Sequence, residues 1–107
     1  MQIVEYLTGG HSPFALWFDD LDPQAAAKVT VALQRLRDGN LSNAKGVGAG
    51  VFEYRINFGP GYRVYFGRDG DEIVVLVGGG TKKRQQRDID LAQARWAEYR
   101  RRKKGRS

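Results

Sequence analysis

The chain has 107 residues, enough for one domain and too few for a second core. Hydrophobic residues make up 41% and charged residues 28%, a globular balance rather than a disordered one. With no cysteine, a disulfide framework, a thiolate nucleophile and a cysteine metal site are excluded.

Gln2 to Leu7, with Ile3 and Tyr6 among polar residues, reads as a first strand. The segment Met1–Glu5 lacks the basic-then-apolar order of a secretory leader, so a cytoplasmic protein without a membrane partner is expected. Ser12-Pro13 predicts a helix start, because a Ser oxygen accepts an orphan N–H and Pro has no donor to waste at the first position. Asp22-Pro23 repeats the signal. Ala26, Val29, Leu33 and Leu36 then fall at spacings of three, four and three, one face of a second helix that Gly39-Asn40 ends. Residues 39–50 are rich in Gly, Asn and Ser without a period and read as a flexible connector; Gly46-Val47-Gly48-Ala49-Gly50 lacks the spacing of a nucleotide-binding loop.

The strongest β signal follows. Phe52, Tyr54, Ile56 and Phe58 alternate with Glu53, Arg55 and Asn57, and after Gly59-Pro60-Gly61 the residues Tyr62, Val64 and Phe66 alternate with Arg63 and Tyr65. Asp69-Gly70 reads as a two-residue turn, and the apolar run Ile73–Val77 suits a central strand and is far too short to cross a membrane. Beyond Gly78-Gly79-Gly80, a last helix has Ile89, Ala92, Trp96 and Tyr99 on one face, and a basic flexible tail is expected from about residue 100 to 107. The order is β-α-α-β-β-β-α, an α+β domain with an antiparallel sheet and helices on one face.

Charge is unevenly placed along that order. Residues 1–81 hold seven Lys/Arg and nine Asp/Glu, whereas residues 82–107 hold eleven and three. A basic C-terminal quarter suits a polyanion partner such as RNA, DNA or the ribosome, although basic tails can also be merely solubilising. Placing Ile56 opposite Val64 puts Arg55 opposite Tyr65 and Asn57 opposite Arg63. Glu53, Arg55, Asn57, Arg63 and Tyr65 then share the face turned away from the helices, with Lys82, Lys83 and Arg84 at the sheet's end. Arginines grip phosphate oxygens bidentately, fixed positive charge stabilises a phosphodiester transition state, and a tyrosine ring can stack on a splayed base. An ordinary exposed sheet face would also carry such polar residues. No metal is implied, since no His/Asp/Glu cluster has ligand spacing, and His11 reads as a surface residue.

Val51-Phe52-Glu53-Tyr54-Arg55-Ile56, Gly59-Pro60-Gly61-Tyr62-Arg63-Val64-Tyr65-Phe66, Gly78-Gly79-Gly80-Thr81-Lys82 and the segment Gln85–Trp96 together resemble the RelE/ParE superfamily of toxin–antitoxin toxins. The nearest group is the HigB-like addiction module killer proteins. The resemblance implies a microbial toxin made with an antitoxin, the expected antitoxin being a helix-turn-helix protein encoded nearby. RelE- and HigB-like members cut mRNA on the ribosome without a cofactor, and ParE-like members inhibit DNA gyrase. It further implies that Arg55, Arg63 and Lys82 are phosphate-handling residues. From the residues themselves, Glu53 is a candidate base or only an ion-pair partner of Arg55 or Arg63, and Tyr65, Asn57, Lys83 and Arg84 are candidate RNA contacts. The Tyr or His that several ribonucleases of the superfamily carry near the chain end has no counterpart around Gln85–Leu91. A gyrase inhibitor and a non-toxic basic RNA-binding module are the alternatives.

Overall fold

A computed structural model describes residues 1–105. Strand β1 (Gln2–Glu5) leads to helices α1 (Pro13–Asp19) and α2 (Pro23–Arg37). Both helices start as their sequences dictate: Ser12 accepts from the Ala15 N–H and Asp22 from the Ala25 N–H, each followed by Pro in the first turn. Helix α2 ends on Gly39, whose φ of +82° lets its N–H reach the Leu36 carbonyl while the Asn40 N–H reaches Arg35. The buried stripe of α2 is Ala25, Val29, Ala32 and Leu36, so the helix is turned slightly from the stripe expected, with Ala26 and Leu33 at its margin.

Four further strands follow: β2 (Ala44–Gly46), β3 (Val51–Ile56), β4 (Tyr62–Asp69) and β5 (Ile73–Thr81). A short 3-10 turn (Lys82–Arg84) then runs into α3 (Gln85–Lys104). The class is α+β, as expected, and the sheet has the order β1-β5-β4-β3-β2. Strand β2 corrects the reading of residues 39–50 as connector alone, because three of them pair with β3 at the sheet edge. Three residues carry too little alternation to signal a strand. The sheet is mixed rather than antiparallel, since β1 runs parallel to β5.

The helices lie on both faces, not on one. Phe14 of α1 and Val29, Ala32 and Leu36 of α2 pack with Tyr54, Ile56, Val64, Phe66, Val74 and Leu76. Ala92 and Trp96 of α3 pack on the opposite face with Val51, Tyr65, Val75 and Val77. Strand β5 can serve both layers because its apolar run leaves no solvent-facing side. A bulge near Tyr65 and Phe66 leaves Val77 without a directly opposed partner on β4 and keeps it in the α3 layer.

Two turns also differ from expectation. The β3–β4 register sets Glu53 opposite Tyr65, Tyr54 opposite Val64 and Arg55 opposite Arg63, two residues away from the expected pairing. Residues 57–61 therefore form the loop, and the turn after Asp69 is three residues long, since Asp69 pairs with Ile73. The basic run after Tyr99 remains helical through Lys104 instead of fraying. Its anchors are ion pairs from Arg102 to Glu98 and from Lys103 to Asp69, and the Arg102 guanidinium over the Tyr6 ring. Residues 106 and 107 of the expected tail lie outside the described residues. No helix among the described residues is long and apolar enough to cross a membrane.

Candidate nucleic-acid interface

A register slip of two preserves which face each side chain occupies. Glu53, Arg55, Arg63 and Tyr65 consequently do share one face, although their partners change. That face is not open: the start of α3 lies across it, and Glu53, Arg63 and Tyr65 are buried. This corrects the expected exposed cluster. The physical reason is that α3 spends its apolar stripe on the same face, which sequence alternation alone assigned to solvent.

The buried residues form one network. The Arg55 Nε donates to Glu53 Oε1 at 2.9 Å, the Gln85 side-chain amide donates to Glu53 Oε2 at 2.8 Å, and the Arg63 Nε lies 3.5 Å from the same oxygen. The Tyr65 hydroxyl, 3.4 Å from Glu53 Oε2, donates weakly to it. Burial alone would raise the Glu53 carboxyl, but the hydrogen bonds from Arg55 and Gln85 and the charge of Arg63 hold it below the usual Glu value. Glu53 therefore stays ionised as a counter-ion, which suits it poorly to accept a proton. Burial, with the Glu53 charge beside it, pushes the Tyr65 phenol far up, so this ring is a neutral donor. Its full burial leaves no free face on which a base could stack.

The outer edge of the network is accessible. Arg55 keeps 49% of its side chain exposed, and Lys82, Lys83 and Arg84 are all exposed in the 3-10 turn. Arg63 and Lys82 converge on Gly61: the Arg63 Nη1 donates to the Gly61 carbonyl at 2.8 Å, and so does the Lys82 backbone N–H at 2.9 Å. Gly61 has a φ of +79°, a conformation that leaves its carbonyl facing both donors without a Cβ in the way. The structure thus brings the side chains of Glu53, Arg55 and Arg63 together at one end of the sheet, and ties the Lys82 backbone to the Gly61 carbonyl that Arg63 also holds. Asn57 is not brought in; it lies in the loop after β3, exposed and opposite no strand residue. His11 is also exposed, in the turn before α1.

Three polar residues of α3 belong to this face and were not singled out by sequence reasoning. Gln85 holds Glu53, Asp88 lies over Gly80, and Arg95 lies against Gly78 and donates to the Val77 carbonyl at 2.9 Å. Their spacing was the available signal, since Gln85, Asp88, Ala92 and Arg95 recur at three, four and three along the helix. Burial raises the Asp88 carboxyl above its ordinary value, against the opposing charges of Arg84, Arg87 and Arg95. Among the described residues no group of three or more His, Cys, Asp or Glu stands close enough to hold a metal ion.

Comparison with known proteins bears on the whole of this architecture. The chain is 40% identical over 80 residues to an uncharacterized protein of Haemophilus influenzae, an alignment covering 74% of this chain and 81% of that protein. Residues 16–97, from α1 to the middle of α3, match the family described as phage derived protein Gp49-like (DUF891). All of α2, all of β2–β5 and the arginine network fall within that span, with parts of α1 and α3, and the chain belongs to this Gp49-like family, a family of RelE-like, toxin-type proteins.

Proposed function

We propose that this protein is the toxin of a toxin–antitoxin pair and that it cleaves mRNA on the ribosome. The observation that carries this reading is the pairing of Arg55 and Arg63 on one carboxylate at the end of the sheet, with the exposed Lys82, Lys83 and Arg84 in the turn that Gly61 ties beside them. Arg55 and the three exposed cations of the turn are the groups available to a phosphate backbone, and Arg63 stiffens Arg55 through their common carboxylate. Such fixed charge favours the extra negative charge that a phosphodiester gains as it is attacked. The partners of this reading are an antitoxin that silences the site, the ribosome and its mRNA.

The test is primer extension on an mRNA translated by purified ribosomes in the presence of the protein. New 3′ ends at defined codons are expected, and free RNA is expected to be cut poorly, because the ribosome supplies the alignment. Arg55→Ala is the informative variant: cleavage falls about 100-fold, and a thermal midpoint recorded beside it separates that loss from the stability Glu53 forfeits with its 2.9 Å partner. Growth arrest with intact mRNA would refute the nuclease reading. The burial of Glu53, Arg63 and Tyr65 favours one second reading, a ParE-like inhibitor that docks on gyrase and needs no catalytic cluster. In that case the purified protein blocks supercoiling and Arg55→Ala leaves translated mRNA uncut, as it is with the unsubstituted chain.

A further inference from the structure

We propose that Asp88 is the proton acceptor of the cleavage step, a role that rests on the nuclease reading above. Glu53 is occupied by Arg55, Gln85 and Arg63, and the other carboxylates withdrawn from solvent are matched as well: Asp69 with Lys103 and Tyr99, Glu98 with Tyr6 and Arg102. Asp88 is half-buried yet has no hydrogen bond and no ion pair among the described residues.

Its position is held from below. The carboxylate lies directly over Gly80, and a Cβ on that residue would collide with it. Gly80 is the register partner of Arg63 on the neighbouring strand. Asp88 also stands one turn beyond Gln85 on the same face of α3, about 4.5 Å further along the axis. The ionisable groups facing it are Tyr65 from β4, Arg84 from the 3-10 turn, and Arg87 and Arg95 from its own helix. Tyr65 stays neutral, and across it Glu53 stays charged, so Asp88 is the carboxylate of this face whose proton affinity is raised. An unpaired carboxylate withdrawn from water weakens a fold, and such a cost persists most readily where the group has work to do.

The Asp88 carboxylate takes the proton of a ribose 2′-hydroxyl, and the 2′-oxygen bonds to the adjacent phosphorus. The bond from phosphorus to the 5′-oxygen breaks, and that oxygen takes a proton from water. The products are a 2′,3′-cyclic phosphate and a 5′-hydroxyl, and Asp88 then returns its proton to solvent.

The experiment measures cleavage of ribosome-bound mRNA from about pH 5 to 9 by the intact chain and by Asp88→Asn, with thermal midpoints recorded for both. The expected result has three parts. Cleavage by Asp88→Asn falls about 100-fold, the rise in rate with pH on the acid side disappears, and the midpoint is unchanged or higher. Cleavage within threefold of the intact chain, survival of the acid limb, or a loss that tracks a lower midpoint would overturn the proposal. A carboxyl-carbon NMR titration reads the group without any activity; a midpoint for Asp88 at or below that of an exposed Asp also overturns it. If the intact chain leaves translated mRNA uncut, the nuclease reading falls first and this role with it. If the intact chain cuts and Asp88→Asn cuts equally, only the assignment of Asp88 falls.

Discussion

Gly78, Gly79 and Gly80 decide how closely three helical side chains approach the sheet. Gly79 turns its missing Cβ toward Trp17 of α1, and Gly78 and Gly80 turn theirs toward Arg95 and Asp88 of α3. A Cβ at Gly79 would collide with the Trp17 ring, and Trp96 crowds Gly67 in the same way from the other side. Gly79→Ala is therefore expected to cost about 1–3 kcal/mol in urea unfolding, since the indole cannot move without disturbing Phe14 beside it. The two arginines of the network share one carboxylate and differ in exposure. Arg63→Ala leaves Glu53 buried beside a gap and is expected to cost about 3–5 kcal/mol, so its loss of activity would report unfolding as much as chemistry. Arg55→Ala removes the 2.9 Å hydrogen bond to the same buried carboxylate and is expected to cost about 1–3 kcal/mol, water reaching the vacated half-exposed site. Glu53 also fixes a pH dependence. Its carboxyl lies below the unfolded value, so its contribution is complete above the ordinary Glu range and is lost as pH falls through the folded value. Acid unfolding curves of Glu53→Gln are expected to be flatter over that window.

The elements show what alternation conveys and what it leaves open. Phe52, Tyr54, Ile56, Val64 and Phe66 announced two strands and their faces, because parity needs only a period of two. Register was not legible, since loops of three and five residues keep the same parity and Gly59-Pro60-Gly61 fits inside either. The sharing of a face by Arg55 and Arg63 was therefore readable, but their direct opposition was not. Helix caps were legible at Ser12 and Asp22, where a single side chain settles the start. The end of α3 was not, because Arg100–Lys104 has no apolar residue and its anchors, Glu98 apart, are remote: Tyr6, Leu7 and Asp69. Asp69 also accepts from the Tyr99 hydroxyl at 2.7 Å, so it holds two successive turns of the helix. Asp69→Ala is expected to speed amide hydrogen exchange over residues 100–104, with a global loss of about 1 kcal/mol or less, Lys103 being largely exposed.

At the scale of the molecule, α3 unites the two halves of the charge distribution. Its first turns lie on the arginine network and its last turns carry Arg100–Lys104, so one rod bears cations at both ends. If the proposed nuclease function holds, ribosome association measured by co-sedimentation weakens steeply as salt rises from about 50 to 200 mM. Lys82→Ala should lower the log–log salt slope by about one without changing which codons are cut. The burial of Glu53 and Tyr65 could not be read from the sequence, because it depends on which side of the sheet α3 crosses, a choice set by long-range packing.

The parallel pairing of β1 with β5 joins Gln2 to Ile73 and Glu5 to Leu76. Strand β1 thus has nothing to lie against until residues 73–76 are made, and Trp17 has no Gly79 to rest on. Closure of so long a loop belongs to the slower class of folding reactions. Until then β1 and the α1 layer lack the strand that completes them, so their apolar side chains stay open to water or to other proteins.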